Sequence, residues 1–344
     1  MSAPRPLLVI AHEATRTGSP AVLLRLLRAT AHEMDRPLSV RLLADGPLAG
    51  ELRSLSTVDP VVADPAAVLV NSALAVGELA TLAHDLPCAV YVHEQSEALA
   101  GLPDSEAELL RTRPRVVLAA STASAAALLG LGVREDRIEV LAPLVEPPRA
   151  DPEAVAAIRS EVGGGTGRLV VGCGVAEWRK GADLFVELAA RLAGDDGPLL
   201  AWVGGRGRAM SRRLDADVFG AGLAGRVLYT GEVADPAPWL AAADVVVMPS
   251  REDPQPLVPV EAALLGTPSA GFEVGGLADM AAAGALRGAP YPDVVALGTA
   301  VTELLEDRTL AEQVTAAGAD WWAGRHAAAA VLPHFRAVLQ DLLP

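Results

Sequence analysis

Residues Ala241–Pro268 read AAADVVVMPSREDPQPLVPVEAALLGTP. The run VVVM is short, branched and apolar, the pattern of a strand buried on both faces. The later run LVPVEAALLG reads as a short apolar helix. A buried strand that passes through a turn into a helix is the repeating unit of a parallel α/β sheet. The prolines in the turn are compatible with this. Proline lacks an amide hydrogen, and the first turn of a helix holds amides without intrahelical partners, so Pro256 and Pro259 disturb little there.

The same unit recurs outward in both directions. Upstream lie LLVIA from Leu7, then PAVLLRLLRATAHEM with apolar residues at helical spacing, then SVRLLA, AVLVN, AVYVH, VVLAAS and IEVLAP. The pattern pauses at Glu146–Ala150, where two adjacent prolines stiffen the chain into a linker. It resumes with RLVVGCGV, LLAWVGG, VLYTGE, VVVMPS and SAGFE. The chain therefore reads as α/β, with two Rossmann-like doubly wound domains facing a cleft. The expected boundaries are 1–146, 147–325 and a C-terminal helical tail, 326–344, kinked at Pro333 and able to cross back to the first domain. A length of 344 residues accommodates two such domains.

Composition narrows the function classes. The 28 basic and 43 acidic residues give a net charge of −15, and aromatics make up 3%. Nucleic-acid binding normally needs a basic face and stacking platforms, so that class is set aside. The local cluster Arg111, Arg113 and Arg115 reads as a solvated turn. Cys88 and Cys173, far apart in apolar runs, point to a reducing compartment and no disulfide framework. The apolar run after the N-terminus falls short of the roughly 7–15 residues of a signal peptide core. No stretch has the roughly 18 uncharged apolar residues of a membrane span. The expected setting is cytoplasmic, with peripheral membrane contact left open and no oligomeric state implied.

Ligands of open α/β sheets bind beyond the carboxyl ends of the strands. After VVVM, the amides of Gln255, Leu257 and Val258 point along the positive end of a helix dipole, a ready anion site. Asp253 and Glu261 flank this turn, and two sugar hydroxyls, such as a ribose diol, would satisfy the oxygens of Glu261. After LVVGCGV, Arg179 and Lys180 directly precede an apolar helix. Cations there oppose the dipole unless an anion lies between, and a diphosphate suits both a guanidinium fork and an ammonium. After LLVI, Thr17-Gly18-Ser19-Pro20 opens a helix with a glycine that permits close approach. After AVYV stands His93, able to hydrogen-bond a sugar. Each feature also has a plainer reading: a punctuated turn, a loop cap, solvent-facing cations, an N-cap, a core histidine.

Taken together, AHEATRTGSP, YVHEQ, GVAEWRKGADLFVELA, YTGEV, PSREDPQPLVPVEAALLGTP and FEVGGLADM resemble, in order along nearly the whole chain, the retaining glycosyltransferases of family 4, whose architecture is GT-B. The resemblance implies transfer of a sugar from a nucleotide-sugar donor to an acceptor with retention at the anomeric carbon. It implies no cofactor beyond the donor and no essential metal. By position it gives Glu261 the ribose, Asp253 the hydroxyls of the donor sugar, and Leu257, Val258, Arg179 and Lys180 the diphosphate. Gly18 would admit that diphosphate, His93 would lie by the transferred sugar, and Gly174 and Val233 would border the nucleotide. The acceptor would be a small molecule, a glycan or a lipid-linked sugar; Glu13, Glu94 and Glu97 lie in acidic loops that could meet it.

Three positions depart from the family pattern. Asp253 stands where a glutamate is usual, Pro256 where a glycine is common, and Val175 where an arginine is often found. These motivate an alternative: a nucleotide-sugar-binding partner protein without transfer. Other enzyme readings fare worse. Asp215-Ala-Asp217 imitates a metal-binding DxD but lies in a helical pattern. Gly172-Cys-Gly174 has Glu177 where a dinucleotide fingerprint needs its third glycine. A GT-B epimerase would want acids and a base, and the chain has only six histidines.

Overall fold

The structure, a computed structural model, describes residues 4–58, 64–162, 167–194 and 197–343. They form two units, 1–146 with 324–344, and 147–323.

The first unit holds β1 (Leu7–Ala11), β2 (Leu38–Leu42), β3 (Ala67–Asn71), β4 (Cys88–Val92), β5 (Val116–Ala119) and β6 (Ile138–Val140). They pair in parallel in the order β2-β1-β3-β4-β5-β6. β1, β3 and β4 are buried from end to end, as their unbroken runs of Val, Leu, Ile and Ala require when helices cover both faces. Because β1 is followed by β2 on one side and β3 on the other, the strand order reverses at β1/β3. The C-terminal helix, Ala328–Leu342, runs unbroken through Pro333 and packs on the Gly18–Thr30 helix. His326, fully buried, ties it down through Nδ1 to the Pro143 carbonyl at 2.8 Å.

The second unit holds β7 (Leu169–Cys173), β8 (Leu199–Val203), β9 (Val227–Gly231), β10 (Val245–Met248), β11 (Ser269–Phe272) and β12 (Arg287–Ala289). The order is β12-β11-β10-β7-β8-β9, again all parallel. Here the reversal falls at β7/β10. Phe185 and Trp202 meet edge-to-face at 5.2 Å in the core beneath it. The three-residue edge strand β12 has no counterpart among the apolar runs of the sequence. Among the described residues, no helix is long and apolar enough to cross a membrane.

Candidate active site

The β7/β10 switch point gathers most of the expected site residues. β7 ends at Cys173. Gly174 follows at φ 138°, its carbonyl taking the Trp202 indole N–H at 2.9 Å. The chain then turns through Glu177-Trp178-Arg179-Lys180 to Gly181, which begins the Ala182–Leu192 helix at φ 69°. A β-carbon on Gly181 would lie 1.9 Å from the Pro249 carbonyl oxygen, so only glycine fits. This close approach brings the turn after β7 against the turn after β10. The Arg251 amide donates to the Arg179 carbonyl at 2.8 Å, and the Arg179 guanidinium donates to Glu177 at 2.9 Å and to the Glu252 carbonyl at 3.2 Å.

At the centre, Lys180 Nζ donates to Asp253 Oδ2 at 2.7 Å, and Ser250 Oγ donates to the same oxygen at 3.2 Å. Asp253 is only 3% exposed. A carboxyl group so buried is costly unless its oxygens have such partners. Arg251 forks onto Asp183 at 2.7 and 2.8 Å and lies over the Trp178 ring. Burial opposes the charge of Asp183, but the Arg251 hydrogen bonds outweigh it and hold the carboxyl below its usual range.

The proline-rich turn enters a helix at Val258–Leu264, with Pro259 in its first turn. Its first α-helical bond runs from the Glu261 amide to the Leu257 carbonyl at 2.9 Å, so the amides of Leu257 and Val258 precede the ladder. Glu261 is half-buried. Burial pushes the Cys173 thiol up to about 12, the nearby Glu261 charge adds to this and Lys180 opposes it. Glu261 and Lys180 therefore both act on the end of β7. Val233 is half-buried just beyond β9.

Gly18 and His93 belong to the first unit. Gly18 is exposed and opens the Gly18–Thr30 helix. The preceding loop is ordered by Glu13, which accepts from the hydroxyls of Thr15 at 2.8 Å and Thr17 at 3.1 Å. His93 follows β4, half-buried, its ring 4.1 Å from that of Tyr91. Burial and the neighbouring His12 push its pKa down to about 3, so the ring is neutral. Its Nε2 lies 2.9 Å from Oδ1 of Asn71, a fully buried residue the sequence reading passed over. The signal was present: Asn71 is the polar end of an otherwise apolar run, AVLVN, beside the strand-order reversal.

Other candidates resolve differently. Glu94 accepts from the backbone amides of His93 and Ala73, at 2.9 and 3.3 Å, and so caps a turn. Glu97 lies in a short helix, Ser96–Ala100, where an acidic loop was expected. Asp215 and Asp217 lie in the Arg208–Gly220 helix, with Asp215 paired to Arg206 at 2.7 Å. Of the arginine cluster, Arg111 pairs with Glu108, Arg113 donates to the carbonyls of Ala83 and His84, and Arg115 to that of Asp341.

These two doubly wound units define the class of protein: the fold is GT-B. In keeping with that, the chain superposes on the crystal structure of Anabaena Alr3699/HepE in complex with UDP and glucose with a TM-score of 0.84, at 18% identity, covering 98% of this chain and 100% of that one. Residues 167–307 match the family model described as glycosyl transferases group 1, and they contain every second-unit site residue named above. The 2-deoxystreptamine N-acetyl-D-glucosaminyltransferase of Streptomyces fradiae is 37% identical over 201 residues, 55% of this chain and 47% of that protein. The 2-deoxystreptamine glucosyltransferase of Streptomyces kanamyceticus is 33% identical over 229 residues, 61% of this chain and 57% of that protein. The chain spans about half the length of the curated relatives it matches.

Proposed function

We propose that the protein is a retaining glycosyltransferase of family 4 type, moving a sugar from a nucleoside-diphosphate donor to a hydroxyl or amine acceptor without an essential metal. The observation that carries this is the convergence of Lys180, Asp253 and Glu261 at the β7/β10 reversal, the position where doubly wound sheets take their ligands.

Roles follow from donor and acceptor capacity. Lys180 has three N–H groups and gives one to Asp253, leaving two for phosphate oxygens. The amides of Leu257 and Val258 add donors from the backbone. Arg179, with five N–H groups, uses two on Glu177 and Glu252 and can turn others toward the anion. Glu261 would accept from the ribose diol, and Asp253 from the donor sugar through Oδ1, the oxygen that Lys180 and Ser250 do not use. Gly174 and Val233 would border the nucleotide. In the first unit, Gly18 would admit the diphosphate and His93 would contact the transferred sugar.

In the step itself the bond from the anomeric carbon to the phosphate oxygen breaks. The acceptor atom bonds to that carbon on the same face, and its proton leaves on the departing phosphate. Lys180 and the backbone amides stabilise the charge that grows on the diphosphate, an electrostatic form of catalysis. The two buried thiols support a reducing, cytoplasmic setting.

The test is transfer from UDP-glucose to 2-deoxystreptamine, the acceptor named in two relatives, in the presence of a chelator. A product with the donor's own anomeric configuration is expected. Inversion, or loss of turnover on chelation, overturns the corresponding part. Donor binding without transfer to a broad acceptor panel favours a non-catalytic partner protein.

A further inference from the structure

The polar residues at the β1/β3 reversal of the first unit form a chain of hydrogen bonds with a defined direction. Asn71 is 0% exposed and ends β3. Its Nδ2 lies 2.9 Å from Ser19 Oγ and 3.5 Å from the Ser19 carbonyl oxygen. A carbonyl can only accept, so the amide nitrogen must face Ser19 and the amide oxygen must face the other way. That oxygen lies 2.9 Å from His93 Nε2. An amide oxygen also only accepts, so His93 must carry a proton on Nε2.

We propose that Asn71 is a positioning residue that fixes His93 as its Nε2–H tautomer, leaving an unprotonated Nδ1 to accept a hydrogen bond from a ligand hydroxyl. Nδ1 of His93 takes no hydrogen bond among the described residues. The low pKa of the ring agrees, because a second proton on Nδ1 is disfavoured by burial and by His12. His12 itself follows β1, with Nδ1 3.2 Å from Ser72 Oγ and Nε2 3.4 Å from Glu13. The arrangement makes the direction of recognition one-way: the imidazole accepts and the ligand donates. A deoxyfluoro sugar, whose fluorine cannot donate, is therefore rejected as strongly as a deoxy sugar at that position. Ser19 adjoins Gly18, so the same amide ties the helix-opening glycine loop to the histidine.

The ligand half of this inference rests on the glycosyltransferase reading; the tautomer half does not. The deciding experiment is a long-range proton–nitrogen NMR spectrum of the full chain at neutral pH, with His93 assigned through His93→Gln. A proton on Nε2 and a bare Nδ1 are expected; a proton on Nδ1, or on both nitrogens, overturns the proposal. Asn71→Leu should give a mixed or reversed tautomer and slow UDP release from UDP-glucose by about tenfold, the worth of one buried hydrogen bond. An unchanged His93 spectrum in that variant also overturns it. Should Asn71→Leu not fold, the wild-type spectrum decides alone. A correct tautomer in a chain that shows no thermal shift with UDP, GDP, ADP or dTDP would sink the glycosyltransferase reading and spare the role of Asn71.

Discussion

Lys180 and Asp253, separated by 73 positions in sequence, meet at 2.7 Å beyond the ends of two adjacent strands, β7 and β10. The contact fixes both turns of the candidate site before any ligand arrives. It also means that any anion reaching Lys180 must share it with a buried carboxylate.

Removing either partner should therefore have unequal effects. Lys180→Ala leaves the Asp253 charge buried without its cation and should lower stability by about 3 kcal/mol in urea denaturation. Asp253→Asn keeps shape and hydrogen bonding and should lower it by less, about 1 kcal/mol. Both should reduce transfer by at least about tenfold. A fully stable Lys180→Ala would argue against the pair, and an active Asp253→Asn against its role in transfer.

Gly181→Ala places a β-carbon against the Pro249 carbonyl in a left-handed conformation and should destabilise by more than about 2 kcal/mol. Gly50→Ala is the control. It sits in the Ala49–Ser54 helix with nothing within 4 Å of the added carbon, and should stabilise by about 0.4–1 kcal/mol. Equal melting temperatures for the two variants would contradict the close approach of the two turns.

Much of this was legible in the sequence because buried parallel strands are written as apolar runs. Of the twelve strands among the described residues, eleven coincide with such a run. β12, RGA, does not, because a short edge strand is held by backbone pairing to β11 rather than by its side chains. The positions of Arg179, Lys180, Asp253 and Glu261 beyond strand ends were readable for the same reason. Their partners were not: the Lys180–Asp253 pair, and the role of Asn71, depend on which strands are neighbours. Strand order is a property of the crossovers, and local pattern does not encode it.

His93 should shape the acid limb of stability. Its folded pKa, about 3, lies below its value in an unfolded chain, so the unfolded state binds the extra proton first. Stability is full above about pH 6.5 and falls as pH drops from there toward 3, by at most about 1.4 kcal/mol per pH unit from this group. His93→Gln should flatten that slope in denaturation curves between about pH 4 and 6. An unchanged slope would place His93 in water.

Both thiols should be inert in the folded chain. Burial pushes Cys88 up and Cys173 up to about 12, so neither forms thiolate at neutral pH. An aromatic disulfide reagent at pH 8 should read no fast-reacting thiol in the native protein and both on unfolding. Rapid labelling of Cys173 would mean that the end of β7 is open.

The central claim is that the β7/β10 switch point grips a nucleoside diphosphate. Thermal shifts with UDP, GDP, ADP and dTDP test it most directly, on the wild type and on Glu261→Ala. At about 100 times its dissociation constant, the matching nucleotide should stabilise the wild type by about 2.7 kcal/mol, and Glu261→Ala should lose most of that gain. No shift with any of the four, or an undiminished shift in Glu261→Ala, would contradict the account.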